Sequence, residues 1–150
     1  MKIPLSFALV VASFASCGSA QAPPGASVSG PVVAEYYYRI KWGSLDEFKR
    51  LFERNHAPLM REMQRQGFMT RIELEEPYTH LAGGPRWDFR VTVTFKDAAS
   101  AVFPGSEFHR AFEEAQARLY PDKTTFAAEE ARRFSLVEEH WDVIVVPMRD

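Results

Sequence analysis

From residue 33 onward the hydrophobic positions change period several times, and each change marks an element. Val33 to Trp42 alternates, with Ala34, Tyr36, Tyr38, Ile40 and Trp42 facing one way and Glu35, Tyr37, Arg39 and Lys41 the other, which predicts a strand with one buried face. Gly43 closes it, and Ser44 with Glu47 three residues on has the spacing of a capping box. The period then becomes helical through Gly67: Leu45, Phe48, Phe52, Leu59 and Met63 recur at steps of three and four, and His56 takes the place between Phe52 and Leu59 where a hydrophobe is expected. Two residues later Pro58 removes a backbone donor and clashes with the preceding turn. The helix must therefore kink or restart there, with the proline opening the second segment. A titratable ring on the inner stripe beside a helix break is the chain's best candidate for chemistry.

Beyond Gly67, Ile72 and Leu74 alternate with charged residues in Phe68 to Glu75, a second strand, and Pro77, Gly83, Gly84 and Pro85 predict a long turn. The third strand has five alternations, Trp87, Phe89, Val91, Val93 and Phe95 against Asp88, Arg90, Thr92, Thr94 and Lys96. Asp97 opens a short helix to Phe103, Ser106 opens an amphipathic one to Leu119, and a third run from Thr125 to about Glu139 carries Phe126, Glu130, Phe134 and Val137 along one side. Trp141 to Val146 is continuous and β-branched, as expected of a strand buried on both faces.

Strand, helix, strand, strand, helices, strand is the βαββαβ order of a ferredoxin-like α+β domain, a four-stranded antiparallel sheet with helices on one face. The other face would carry Tyr37, Arg39, Lys41, Arg90, Thr92 and Thr94. That mixed surface suits a second copy, so the expected assembly is a homodimer packed sheet to sheet.

Composition adds a compartment and removes several functions. Lys2, the apolar run Ile3 to Phe14 and the small residues up to Ala20 form a secretory leader, with cleavage expected after Ala20. Residues 21–32, rich in Pro, Gly, Ser and Ala, read as a flexible linker, and 33–150 as one domain. The expected location is periplasmic or secreted. The alternative is a lipoprotein, because Phe14-Ala15-Ser16-Cys17 resembles a lipidation box, with Cys17 then a membrane anchor. Cys17 is the lone cysteine, so no disulfide framework exists. A net charge of −2 without a basic block argues against nucleic acid. His80, His109 and His140 fall at no metal-ligand spacing, and phosphate-loop and dinucleotide fingerprints are absent, so neither metal nor cofactor is expected. Tyr36, Tyr38, Trp42 and Trp87, on the expected inward faces, could line a site for a flat hydrophobic ligand or simply form core.

The run Phe48-x-x-x-Phe52-x-x-x-His56-Ala57-Pro58-Leu59 resembles the first-helix motif of the EthD-like group within the dimeric α/β-barrel superfamily. The resemblance implies a two-subunit barrel with a hydrophobic pocket between helices and sheet, His56 in that pocket and Phe52 as an aromatic wall. It also implies either cofactor-independent proton-transfer, isomerase or lyase chemistry on a small hydrophobic or aromatic molecule, or no catalysis. Three readings stay open: such an enzyme using His56, a noncatalytic ligand-carrying or assembly module, and a haem-binding barrel with His56, His80 and His109 as the ligands to test.

Overall fold

The computed structural model describes residues 30–79, 83–84, 86–102 and 105–145. The leader with Cys17, most of the linker, His80, Pro85 and Val146 lie outside the described residues. Four strands, β1 (Val32–Ile40), β2 (Met69–Glu75), β3 (Phe89–Phe95) and β4 (Val137–Val145), form one antiparallel sheet in the order β2-β3-β1-β4. Between β1 and β2 runs a helix in three parts: α1 (Leu45–Leu51), a π-helical turn (Phe52–His56) and α2 (Ala57–Arg65). Between β3 and β4 come α3 (Ala98–Val102), α4 (Glu107–Leu119) and α5 (Lys123–Ser135). The expected ferredoxin-like α+β arrangement is present, with its second helical unit divided in three.

Period and register place the core on the helix-covered face. Tyr38 pairs with Phe89 and Tyr36 with Val91 across β1 and β3. Ala34, Tyr38, Ile40, Val91, Val93 and Phe95 are buried there, against Phe48, Phe52, Leu59 and Met63 from the first helix. Phe48 and Phe52 are fully buried and pack edge-on to Phe89, at 5.4 and 5.0 Å between ring centroids. Removing that much aromatic surface from water is the chief reason the first helix lies where it does.

The helix break behaves as Pro58 requires. With no N–H at position 58 the ladder changes register: the Ala57 N–H donates to the Phe52 carbonyl, five residues back. The Arg54 carbonyl, four residues before the proline, instead accepts from the Tyr120 hydroxyl at 2.8 Å. A residue outside the helix thus satisfies the carbonyl that Pro58 leaves free, and His56 is not needed for it.

Several expectations are corrected. Ser44 does start α1, but its side chain makes no capping bond; its carbonyl accepts from Phe48 N at 2.9 Å. Trp42 and Trp87 do not face inward. Trp42 lies past the end of β1 and is 70% exposed, with Arg86 over its ring at 4.3 Å. Trp87 precedes β3 and packs edge-on against Tyr37 at 5.9 Å, on the open face. Alternation fails there because Asp88 is bound locally: its N–H donates to the Tyr38 carbonyl and its carboxylate accepts from Ile40 N and from Arg86. At the other end α5 stops at Ser135, and Val137 to Glu139 belong to β4, where Glu139 pairs with Arg39 at 2.8 Å. β4 is an edge strand, so Val143, Ile144 and Val145 are exposed in the single chain, and charged residues are tolerated at its start.

Candidate functional site

Helices and sheet enclose a cavity of about 280 Å³, and His56 lines it. Tyr36 and Tyr38 of β1 reach it because even-numbered residues of that strand face the helices, and His140 of β4 reaches it because it pairs with Tyr38. The Tyr38 and His140 rings stack at 4.2 Å. Val91, Val93 and Phe95 form the floor, Phe108 and Phe112 of α4 and Met60 of α2 the roof, and Arg133 and Phe134 of α5 a side wall. Phe134 is half exposed and marks the mouth. A space of this size, mainly apolar with a few converging polar groups, suits a one- or two-ring molecule.

The polar groups are held in defined states. Burial, helped by the nearby Arg133 charge, depresses the His56 imidazole to about 4, so the ring is neutral at pH 7. Burial likewise pushes the Tyr36 and Tyr38 phenols up to about 12, and both stay protonated donors. The His56 ring is held by the Phe52 ring at 5.1 Å and by Phe112 at 6.4 Å. His140 Nδ1 meets the Tyr37 carbonyl at 2.9 Å and its Nε2 lies 3.1 Å from Asp142 Oδ1.

Arg133 is the residue the sequence pattern hid. It is 1% exposed, its Nε and Nη2 donate to Glu130 at 3.1 and 2.7 Å, and its buried Nη1 has no partner among the described residues. Its guanidinium lies over the rings of Phe134, Phe48 and Phe52 at 4.4, 5.6 and 5.7 Å.

Of the residues singled out from the sequence, His56, Tyr36 and Tyr38 come together at this cavity. Phe52 stands behind His56, fully buried, as a wall to the histidine rather than to the space. Trp42 and Trp87 line a separate surface cleft of about 200 Å³ with Ile40, Glu76, Pro77 and Tyr78. His109 is on the exposed side of α4 beside Glu113 at 3.3 Å. Among the described residues no three His, Cys, Asp or Glu side chains gather as a metal-binding group, and no helix is long and apolar enough to cross a membrane.

No protein-family model and no curated protein matches the chain. Among solved structures it is similar to a DABB family protein with a ferredoxin-like fold from Mesorhizobium loti, at 16% identity and TM-score 0.45, over 80% of this chain and 99% of that one. It is also similar to a dimeric ferredoxin-like protein of unknown function from Thermobifida fusca, at 12% identity and TM-score 0.46, over 81% and 95%. A third is an ethyl tert-butyl ether D (EthD) family protein from Bacillus halodurans, at 13% identity and TM-score 0.43, over 79% and 99%. By its description the last is of the group that the Phe48 to Leu59 motif resembles. The ferredoxin-like topology itself is read from this chain's own strand order and pairing.

Proposed function

We propose that this protein binds a small hydrophobic or aromatic molecule in the cavity beside His56. The observation that carries the reading is the open space itself, bordered by two imidazoles, two phenols and a guanidinium and otherwise by apolar side chains. Ala101, partly buried on α3, lines the same space, and Ala101→Phe should fill it. Titration of the wild type with 2-naphthol, followed by fluorescence, should saturate, and A101F should abolish saturation while leaving the melting temperature within a few degrees. Equal binding by A101F overturns the reading.

Whether turnover accompanies binding depends on His56. A neutral imidazole accepts a proton from a bound acid, and the Tyr38 phenol donates to the oxygen on which charge develops, which is the layout of a proton transfer without a cofactor. An imidazole held near 4 is a weak base, however, and this favours the ligand-carrying reading unless the guest raises it. His56→Asn should separate the two: a carrier keeps its ligand chemically unchanged with either residue, whereas an enzyme loses turnover with H56N. Of the three histidines named for haem, His56 borders the cavity, His109 is exposed on α4, and His80 lies outside the described residues.

We further propose that the protein acts as a homodimer built on the open sheet face. There Tyr37 stacks on Trp141 at 5.3 Å, Trp87 packs against Tyr37, and Arg90 covers both Trp87 and Tyr37 at 5.2 and 5.8 Å. Val143 and Val145, alternating with Trp141's neighbours on the same side of β4, extend this aromatic patch with exposed apolar surface. Export by the leader is part of the same proposal. Mass spectrometry of the secreted chain should find Gln21 first, whereas a lipid-bearing Cys17 at the N-terminus would assign the lipoprotein route.

A further inference from the structure

The Arg133–Glu130 pair accounts for two of the three guanidinium nitrogens and leaves the third unexplained. Glu130 lies one turn earlier on α5 and takes Nε and Nη2 side by side, an arrangement complete in itself. Nη1 remains buried with hydrogens to give and no acceptor in full hydrogen-bonding geometry, the Tyr38 hydroxyl being the protein oxygen on which the guanidinium acts, and this is expensive for a charged donor. Arg133 borders the cavity, so a molecule in that space is placed to supply the acceptor that Nη1 lacks.

The surrounding groups narrow the chemistry of the occupant. Next to Arg133 stand Tyr38 and His56; the phenol stays protonated and donates, and the imidazole is neutral. At both rings the influence of the Arg133 charge exceeds that of Glu130, so the guanidinium acts on this end of the cavity more strongly than its partner acid does. Asp142, the other nearby acid, acts on both Tyr36 and Tyr38 and touches His140. Beyond the donors the walls are Val93, Phe95 and Phe112, which offer nothing polar to a ligand body.

We propose that the guest is a small hydrophobic acid whose carboxylate accepts hydrogen bonds from Arg133 Nη1 and the Tyr38 hydroxyl, with its ring or chain lying among Val93, Phe95 and Phe112. The inference rests on the reading of this cavity as a binding site and adds the ligand class to it. A carboxylate placed there also brings a negative charge up to His56 and raises its affinity for a proton, so occupancy would restore basic strength that the free site withholds.

The test is a comparison of matched probes by calorimetry at pH 7: 2-naphthoate against 2-naphthamide, and benzoate against benzamide. The acids should bind the wild type at least tenfold more tightly than the amides. Arg133→Met should remove that preference by weakening the acids alone, and Arg133→Lys, which keeps the charge but not the reach or the fork, should remove part of it. If R133M fails to fold, as its melting curve will reveal, the wild-type preference and R133K decide the matter. Equal binding of acid and amide that A101F abolishes overturns the acid assignment while leaving the cavity as a binding site. A preference that persists in folded R133M, or that is undiminished in R133K, overturns the role of Arg133. Failure of every probe to bind the wild type overturns both readings.

Discussion

The two faces of the sheet carry aromatic clusters of similar make-up that do different things. On the helix side, Tyr36 and Tyr38 meet His140, Phe108 and Phe112 and leave about 280 Å³ of space between them. On the open side, one residue out of step on the same strand, Tyr37 stacks on Trp141 and meets Trp87 edge-on, ring against ring. The difference lies in what holds the rings apart. The helix layer is propped by the π-turn at Pro58 and by a guanidinium set into the wall, whereas in the open cluster the rings touch directly and Arg90, itself held by Glu75 at 2.8 Å, lies over them. Alternation along β1 therefore sends one tyrosine type to enclosure and another to surface.

The largest effect that separates the faces is expected from core truncation. Phe52→Ala removes a fully buried ring that supports His56 and should cost about 3–5 kcal/mol in denaturant unfolding, far more than truncating Trp141 costs a single chain. Next comes pH. His56 binds its proton near 6.5 when unfolded and near 4 when folded, so its contribution is complete above about 6.5 and drains away as pH falls toward 4. That difference is worth up to about 3 kcal/mol, and H56N should flatten the stability curve in this window. Glu62, which Arg65 and Gln66 hold at about 2, loses its contribution only below the ordinary carboxylate range, so the two effects separate on the pH axis.

A third, intermediate effect belongs to the open face. Trp141→Glu combined with Val143→Glu should weaken self-association by about 2 kcal/mol or more in sedimentation equilibrium, with cavity binding retained. Unchanged association would break the assignment of that face to a second copy. The smallest expected change is Tyr37→Phe, which deletes a 2.7 Å bond to Glu35 at a half-buried position and should cost about 0.5–1.5 kcal/mol in thermal or denaturant melts.

The comparison also explains what the amino-acid order made legible. Period-two alternation in β1 and β3 and the helical stripe before Gly67 carry the topology, and Pro58 marks the break that leaves His56 beside the cavity. Trp42 and Trp87 depart from the alternating pattern because they lie past the strand ends, where Asp88 ties the backbone locally. The start of β4 is ambiguous in the sequence because Val137, Glu138 and Glu139 fit a helical stripe as well as an edge strand, and cross-strand pairing with β1 decides between them. That same ambiguity conceals His140. Arg133 was hidden more deeply, since a charged residue on an amphipathic helix reads as solvent-facing. The usable signal was Glu130 three residues earlier, an acid on the apolar stripe whose partner had to be buried with it.

The most direct test of the central claim, that the space beside His56 receives a guest, is long-range proton–nitrogen NMR of the His56 imidazole during a titration with 2-naphthol at pH 7. The free protein should display a neutral ring that shifts saturably with the probe in the wild type and not in A101F. A ring that is half protonated near pH 6.5, or resonances that ignore the probe, would contradict the account.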